Sequence, residues 1–153
     1  QLDRFLFKIL VNYPTLEEEI EIIRGHHSRQ GIRPLNEVQA VLSSAEISAY
    51  RHTVQHIHVE ENLLKYVAQL IHETRNSPTL FLGASPRASI AILNAAKGFA
   101  AIRGRDFVTP EDIKDASIPV LQHRVIVTPE REMEGLTSVE IIKQIIENIE
   151  IPR

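Results

Sequence analysis

Hydrophobic positions run from Phe5 to Leu10 with only Lys8 between them, and the run closes at Tyr13-Pro14. Such a stretch reads as a largely buried strand. A strand needs a sheet to join, and little else in the sequence has strand character. It is therefore expected to belong to a domain whose remainder is missing. From Thr15 onward the pattern turns helical. Thr15 with Glu18 forms a capping box, Glu17 to Glu19 fill the first turn, and Arg24, His26 and Arg29 lie near the end of the helix. "GIRPLN", with Pro34, is a turn or linker. Ser43 with Glu46 caps a helix reaching about His56. A further helix spans about Glu60 to Arg75, where Leu63, Leu64, Val67, Leu70 and Ile71 recur at helical spacing. Thr109, Pro110 and Asp112 mark another helix start. "VIV" at 125–127 is a short strand candidate. Thr137 with Glu140 caps a last helix bearing Ile141, Ile142, Ile145, Ile146 and Ile149. The pattern predicts a mainly α fold: a helical bundle preceded by one strand.

Composition narrows the function classes. The chain has 153 residues, 43% hydrophobic and 24% charged, which suits one globular domain, or a small domain with a fragment of another, able to bury a core. A net charge of −3 disfavours a general nucleic-acid surface. Without cysteine there is neither a disulfide nor a thiolate metal site. No apolar run is long enough to span a membrane and no signal peptide opens the sequence, so the cytoplasm is the expected location. Aromatic residues make up only 5%, which argues against base- or sugar-stacking platforms.

The most informative stretch is "LFLGASPRASIAIL", residues 80–93. Ser85 suits an N-cap and Pro86 the first helical position, so Arg87 falls in the first turn. Beyond it, Ile90, Ala91, Leu93, Ala95, Ala96, Phe99 and Ile102 make a mostly apolar helix, expected at the centre of the bundle. A cation in a first turn opposes the helix dipole, by about 0.3–1 kcal/mol at an exposed site. The same place offers free N–H groups to an anion, and an arginine fork matches phosphate oxygens. Gly83 would let the backbone pass close by. Arg87 thus either completes a phosphate site, with Ser85 beside it, or is a solvated arginine or one paired with a carboxylate.

"GASPRA", an alanine-rich helix and then "GRDFVTPEDI" resemble, in that order, the C-terminal lid of the MoxR-type AAA+ ATPases. "QLDRFLFKI" resembles the segment before the last core strand of that family, and "VLSSAE", "IHVEENLLKYVAQLI" and "LQHRVIVTPE" fit its lid pattern. The resemblance implies a division into a core remnant at 1–14, a connecting helix and linker at 15–33 and a helical lid at 34–153. It implies that Arg87 is the sensor 2 arginine, reaching nucleotide phosphate bound by its own subunit. Arg4 would be the arginine finger, a catalytic residue reaching the γ-phosphate held by the neighbouring subunit. Without the family match, Arg4 reads as a solvated basic residue leading a strand. The implied cofactors are ATP and Mg2+, and the implied assembly is a homo-oligomeric ring, commonly a hexamer. The implied work is chaperone-like remodelling or maturation of a partner, including von Willebrand A-domain proteins and metalloenzymes. The chain departs from the family in one respect. It has neither a GxxxxGK[ST] run nor the acidic magnesium motif, so on its own it is expected not to hydrolyse ATP.

Two alternatives come from other classes. One is a helical protein–protein interaction module with no nucleotide role. The other is a metal site on His52, His56 and His58, since histidines four apart on a helix can chelate zinc or nickel; no HExxH arrangement supports it. His26-His27 are adjacent and point apart.

Overall fold

The computed structural model describes residues 1–29, 35 and 38–151. The linker read in "GIRPLN" lies outside the described residues, apart from Leu35. The chain divides into two units, Leu10–Ala49 and a larger one made of Gln1–Ile9 with Tyr50–Arg153.

In the smaller unit, α1 (Leu16–Ser28) starts at the expected capping box. The Thr15 hydroxyl accepts from the Glu18 amide, and the Glu18 carboxylate accepts from the Thr15 amide. These bonds favour the ionised acid and hold Glu18 below its ordinary range. None of the helix's residues is buried. The reciprocal pair Ser43–Glu46 opens α2 (Ser44–Gln55) in the same way.

The larger unit is mainly helical. α3 (Glu61–Asn76) leads to the three-residue strand β1 (Leu80–Leu82), then α4 (Pro86–Ile102) and α5 (Pro110–Leu121). A two-residue strand β2 (Ile126–Val127), a short α6 (Pro129–Met133) and α7 (Ser138–Asn148) follow. β1 and β2 pair antiparallel, with Leu80 opposite Val127. The short strand expected at 125–127 is therefore present, and its partner is the "LFL" that leads into α4.

The core is built around α4, as its alanines predict. Ala88, Ala91, Ile92, Ala95, Ala96 and Ala100 are buried and let α4 lie close to α5 and α3. α5 contributes Ile113, Ala116, Val120 and Leu121; α3 contributes Leu63, Tyr66, Val67, Leu70 and Ile71. α7 closes this side with Ile141, Ile142 and Ile146. Two apolar positions of the "ASIAIL" helix, Ile90 and Ile102, face solvent instead.

The segment expected to be a buried strand does not form one. Leu2–Arg4 make a single 3-10 turn, and residues 5–14 form neither α-helix nor strand. Phe5, Leu6, Ile9 and Leu10 are exposed. The physical reason is that no strand among the described residues lies alongside. The end of α5 takes up the backbone groups instead: the Lys8 amide donates to the Pro119 carbonyl, and Gln122 donates to the Lys8 carbonyl. Phe7 stacks on Phe99 of α4, with ring centroids 6.5 Å apart.

Candidate functional site at the start of α4

The approach to α4 is a tight crossing. A Cβ at Gly83 would lie 2.6 Å from both the Arg75 Cα and the Thr74 carbonyl oxygen, so only glycine passes here. The next residue is clamped to the end of α3. The buried Thr74 hydroxyl accepts from the Ala84 amide at 3.0 Å, and the Arg75 guanidinium donates to the Ala84 carbonyl at 2.8 Å. Gly83 does permit a close backbone approach, but to α3. Gly83→Ala should therefore destabilise the domain by about 1–3 kcal/mol, the usual cost of overpacking. Urea denaturation with an unchanged m-value is the check.

This clamp sets the entry to α4. Ser85 occupies the N-cap in extended conformation and Pro86 the first helical position. The Ser85 hydroxyl makes no cap bond to its own helix. It donates instead to the carboxylate of Asp3, at 3.0 and 3.2 Å. Arg87 Nη1 lies 3.6 Å from the same carboxylate, and the Arg87 side chain is 65% exposed. An anion thus already stands at the mouth of α4, where the helix dipole and free amides favour one.

Of the residues singled out in sequence, Ser85 and Arg87 come together on the Asp3 carboxylate. Arg4 follows Asp3 directly, is exposed, and pairs with no side chain among the described residues. Sequence reasoning missed Asp3, which is 82 residues from Ser85, and Arg124. The Arg124 side chain is only 2% exposed, and its Nε lies 3.2 Å from the Asp3 carboxylate. "LDRF" was the available signal for Asp3; nothing local marks Arg124.

A second charged cluster sits where α4 passes to α5. Asp112, fully buried, caps α5 by accepting from the Thr109 amide and hydroxyl. It also binds Arg103 at 2.6 Å and Arg105 at 2.7 and 2.8 Å. Burial by itself would raise its pKa. The bonds from Arg105, the Thr109 amide, Arg103 and the Thr109 hydroxyl together outweigh burial and hold it at about 2.

The histidines do not assemble a ligand set. His56 Nδ1 lies 2.8 Å from the His52 carbonyl, their rings pack with centroids 4.2 Å apart, and His58 faces Glu60. Among the described residues no group of three His, Cys, Asp or Glu side chains is placed to hold a metal ion. No helix among them is long and apolar enough to cross a membrane.

A family model described as an AAA lid domain matches residues 72–145, from α3 into α7. A crystal structure of a putative ATPase from Cytophaga hutchinsonii superposes with a TM-score of 0.85 at 32% identity, over 99% of this chain and 48% of that one. The helical bundle from α3 into α7 is therefore an AAA+ lid domain. The Bacillus subtilis protein YeaC is 31% identical over 99% of this chain and 47% of its own length, and Chaperone MoxR1 of Mycobacterium tuberculosis is 33% identical over 100% and 42%. The chain belongs to the MoxR-type AAA+ proteins. It spans about half the length of the curated relatives it matches.

Proposed function

We propose that this chain is the lid of an ATP-hydrolysing MoxR-type machine and that Arg87 binds nucleotide phosphate from the lid side, within its own subunit. The supporting observation is the meeting of Ser85 and Arg87 on one carboxylate at the head of α4. The residues fit a phosphate. The serine hydroxyl is not used up as a cap, the guanidinium is largely exposed, and the group they now share is already an anion. ATP, with Mg2+, would supply the transferable phosphoryl group. Arg87 and Ser85 would bind and orient it, and Arg4 would act on the nucleotide of the neighbouring subunit.

The wider reading follows from the relatives. One of them carries the name chaperone, and chaperone-like remodelling of a partner is the role proposed here. A homo-oligomeric ring, a hexamer, is the assembly this reading needs, because a finger in trans has no target in a monomer. Von Willebrand A-domain proteins and metalloenzymes are the partner classes implied, and the cytoplasm is the proposed location. The lid would close over nucleotide and move as a helical body when the γ-phosphate leaves.

The test is substitution of Arg87 in the complete protein, with ATPase rate and thermal stability measured together. Arg87→Ala should impair hydrolysis while stability changes by no more than about 0.5 kcal/mol, as for other exposed positions. Arg87→Lys should also be impaired, because an ammonium cannot reproduce the guanidinium fork. Loss of fold in Arg87→Ala would make the arginine structural. An unchanged rate with unchanged stability would make it a bystander.

A further inference from the structure

The buried guanidinium of Arg124 uses every N–H of its fork on acceptors. Nη2 donates to the carbonyls of Asp3 and Phe5, and Nη1 donates to the carbonyls of Leu6 and Val120. Nε is shared between the carbonyl and the carboxylate of Asp3, at 3.3 and 3.2 Å. The Val120 contact ties this fork to the last turn of α5, where a cation suits the helix dipole. The other contacts reach across more than a hundred positions of sequence to a segment with no strand or α-helix of its own. Asp3 and Phe5 flank Arg4, so one nitrogen holds the backbone on both sides of that residue. Neighbouring side chains reinforce the grip: His123 Nε2 donates to the Phe5 carbonyl at 3.0 Å, and Gln122 donates to the Lys8 carbonyl.

This arrangement fixes the backbone at Arg4 and leaves its side chain exposed, with no side-chain partner among the described residues. It also links Arg4 to the head of α4, because the Asp3 carboxylate that Arg124 binds is the one shared by Ser85 and Arg87. We infer that Arg124 is a positioning residue for Arg4, locking the "LDRF" backbone to the lid so that Arg4 and Arg87 are carried by one rigid body. The inference rests on the proposed role of Arg4 as an arginine finger. Exposure of Arg4 alone would leave the origin of its side chain undefined; the bonds from Arg124 to the carbonyls on either side fix where its Cα–Cβ bond points. Lysine cannot replace that fork, since an ammonium is a point donor that cannot span the carbonyls of residues 3, 5, 6 and 120.

The experiment compares kcat and KM for ATP in the complete protein for the parent, Arg124→Lys, Arg4→Ala and the double variant, alongside thermal melts. Arg124→Lys should lower kcat by about 10²-fold, the scale of a misplacement of roughly 1 Å in a catalytic group, with KM little changed. In the Arg4→Ala background, measured with enzyme in excess, the same substitution should lower kcat no further. An equal fall in both backgrounds means that Arg124 acts elsewhere and overturns the inference. So does a folded Arg124→Lys protein with parental kcat while Arg4→Ala is impaired; the finger reading then survives. If Arg4→Ala itself has parental kcat, it is the finger reading that fails. Should Arg124→Lys not fold, the pair Gln122→Ala and His123→Ala loosens the same segment without touching the buried guanidinium. That pair must then show a smaller fall in kcat that vanishes in the Arg4→Ala background, and a fall that persists there overturns the inference.

Discussion

Replacing Arg4 with Ala in the complete protein should cut ATP turnover by about 10³-fold or more, the range over which fingers in trans act in other NTPases. Nucleotide binding within each subunit should be nearly unchanged. The difference follows from what a finger does: it meets charge that develops on the transferring phosphoryl group, so it stabilises the transition state more than the bound nucleotide. Arg4 has the freedom for that task, being exposed and without a side-chain partner among the described residues. Mixed assemblies provide the check. Subunits carrying Arg4→Ala but an intact phosphate-binding loop should regain turnover beside subunits whose loop lysine is replaced, because the latter still present Arg4. Parental turnover in Arg4→Ala alone would remove the finger assignment, and absence of recovery in mixtures would place its action within one subunit.

The parts of this molecule legible in the sequence are those governed by local geometry. Thr15–Glu18, Ser43–Glu46 and Thr137–Glu140 each form the capping box expected of them, and Thr109–Asp112 forms one at the expected helix start, because the bonds span three residues and depend on little else. The alanine face of α4 was readable for the same reason: helical spacing alone puts those residues on one side. The stretch from Phe5 to Leu10 misled, because strand identity is a relation between segments. Among the described residues this run has no strand to pair with, and several of its backbone groups bond to the end of α5 and the residues after it. β1 was illegible for a related reason. Three residues carry almost no periodicity, and their partner β2 lies beyond two helices. At the candidate site, the positions of Ser85 and Arg87 could be read and their partner could not. Asp3 reaches them across 82 residues, and Arg124 reaches Asp3 across 121; only the fold brings such charges together.

Asp112 is where the fold has most to lose. Asp112→Ala should destabilise the domain by about 3–5 kcal/mol, the usual consequence of removing one partner from a buried ion pair. Three functions disappear at once: the N-cap bonds to Thr109, the bond to Arg103, and the pair of bonds to Arg105. The effect should depend on pH with a definite sign. The carboxyl titrates near 3.8 in an unfolded chain and at about 2 in the folded one. A depressed folded pKa means that the unfolded state binds the proton more readily, so ionised Asp112 contributes stability above pH 4 and loses it as pH falls toward 2. The shift corresponds to about 2.5 kcal/mol. Urea denaturation of both proteins at successive pH values should therefore show their stability difference widest near neutrality and narrowing between pH 4 and 2. A difference that stays constant across that window would mean that the carboxylate owes its effect to packing and capping geometry, and that its charge contributes nothing to holding α4 and α5 together.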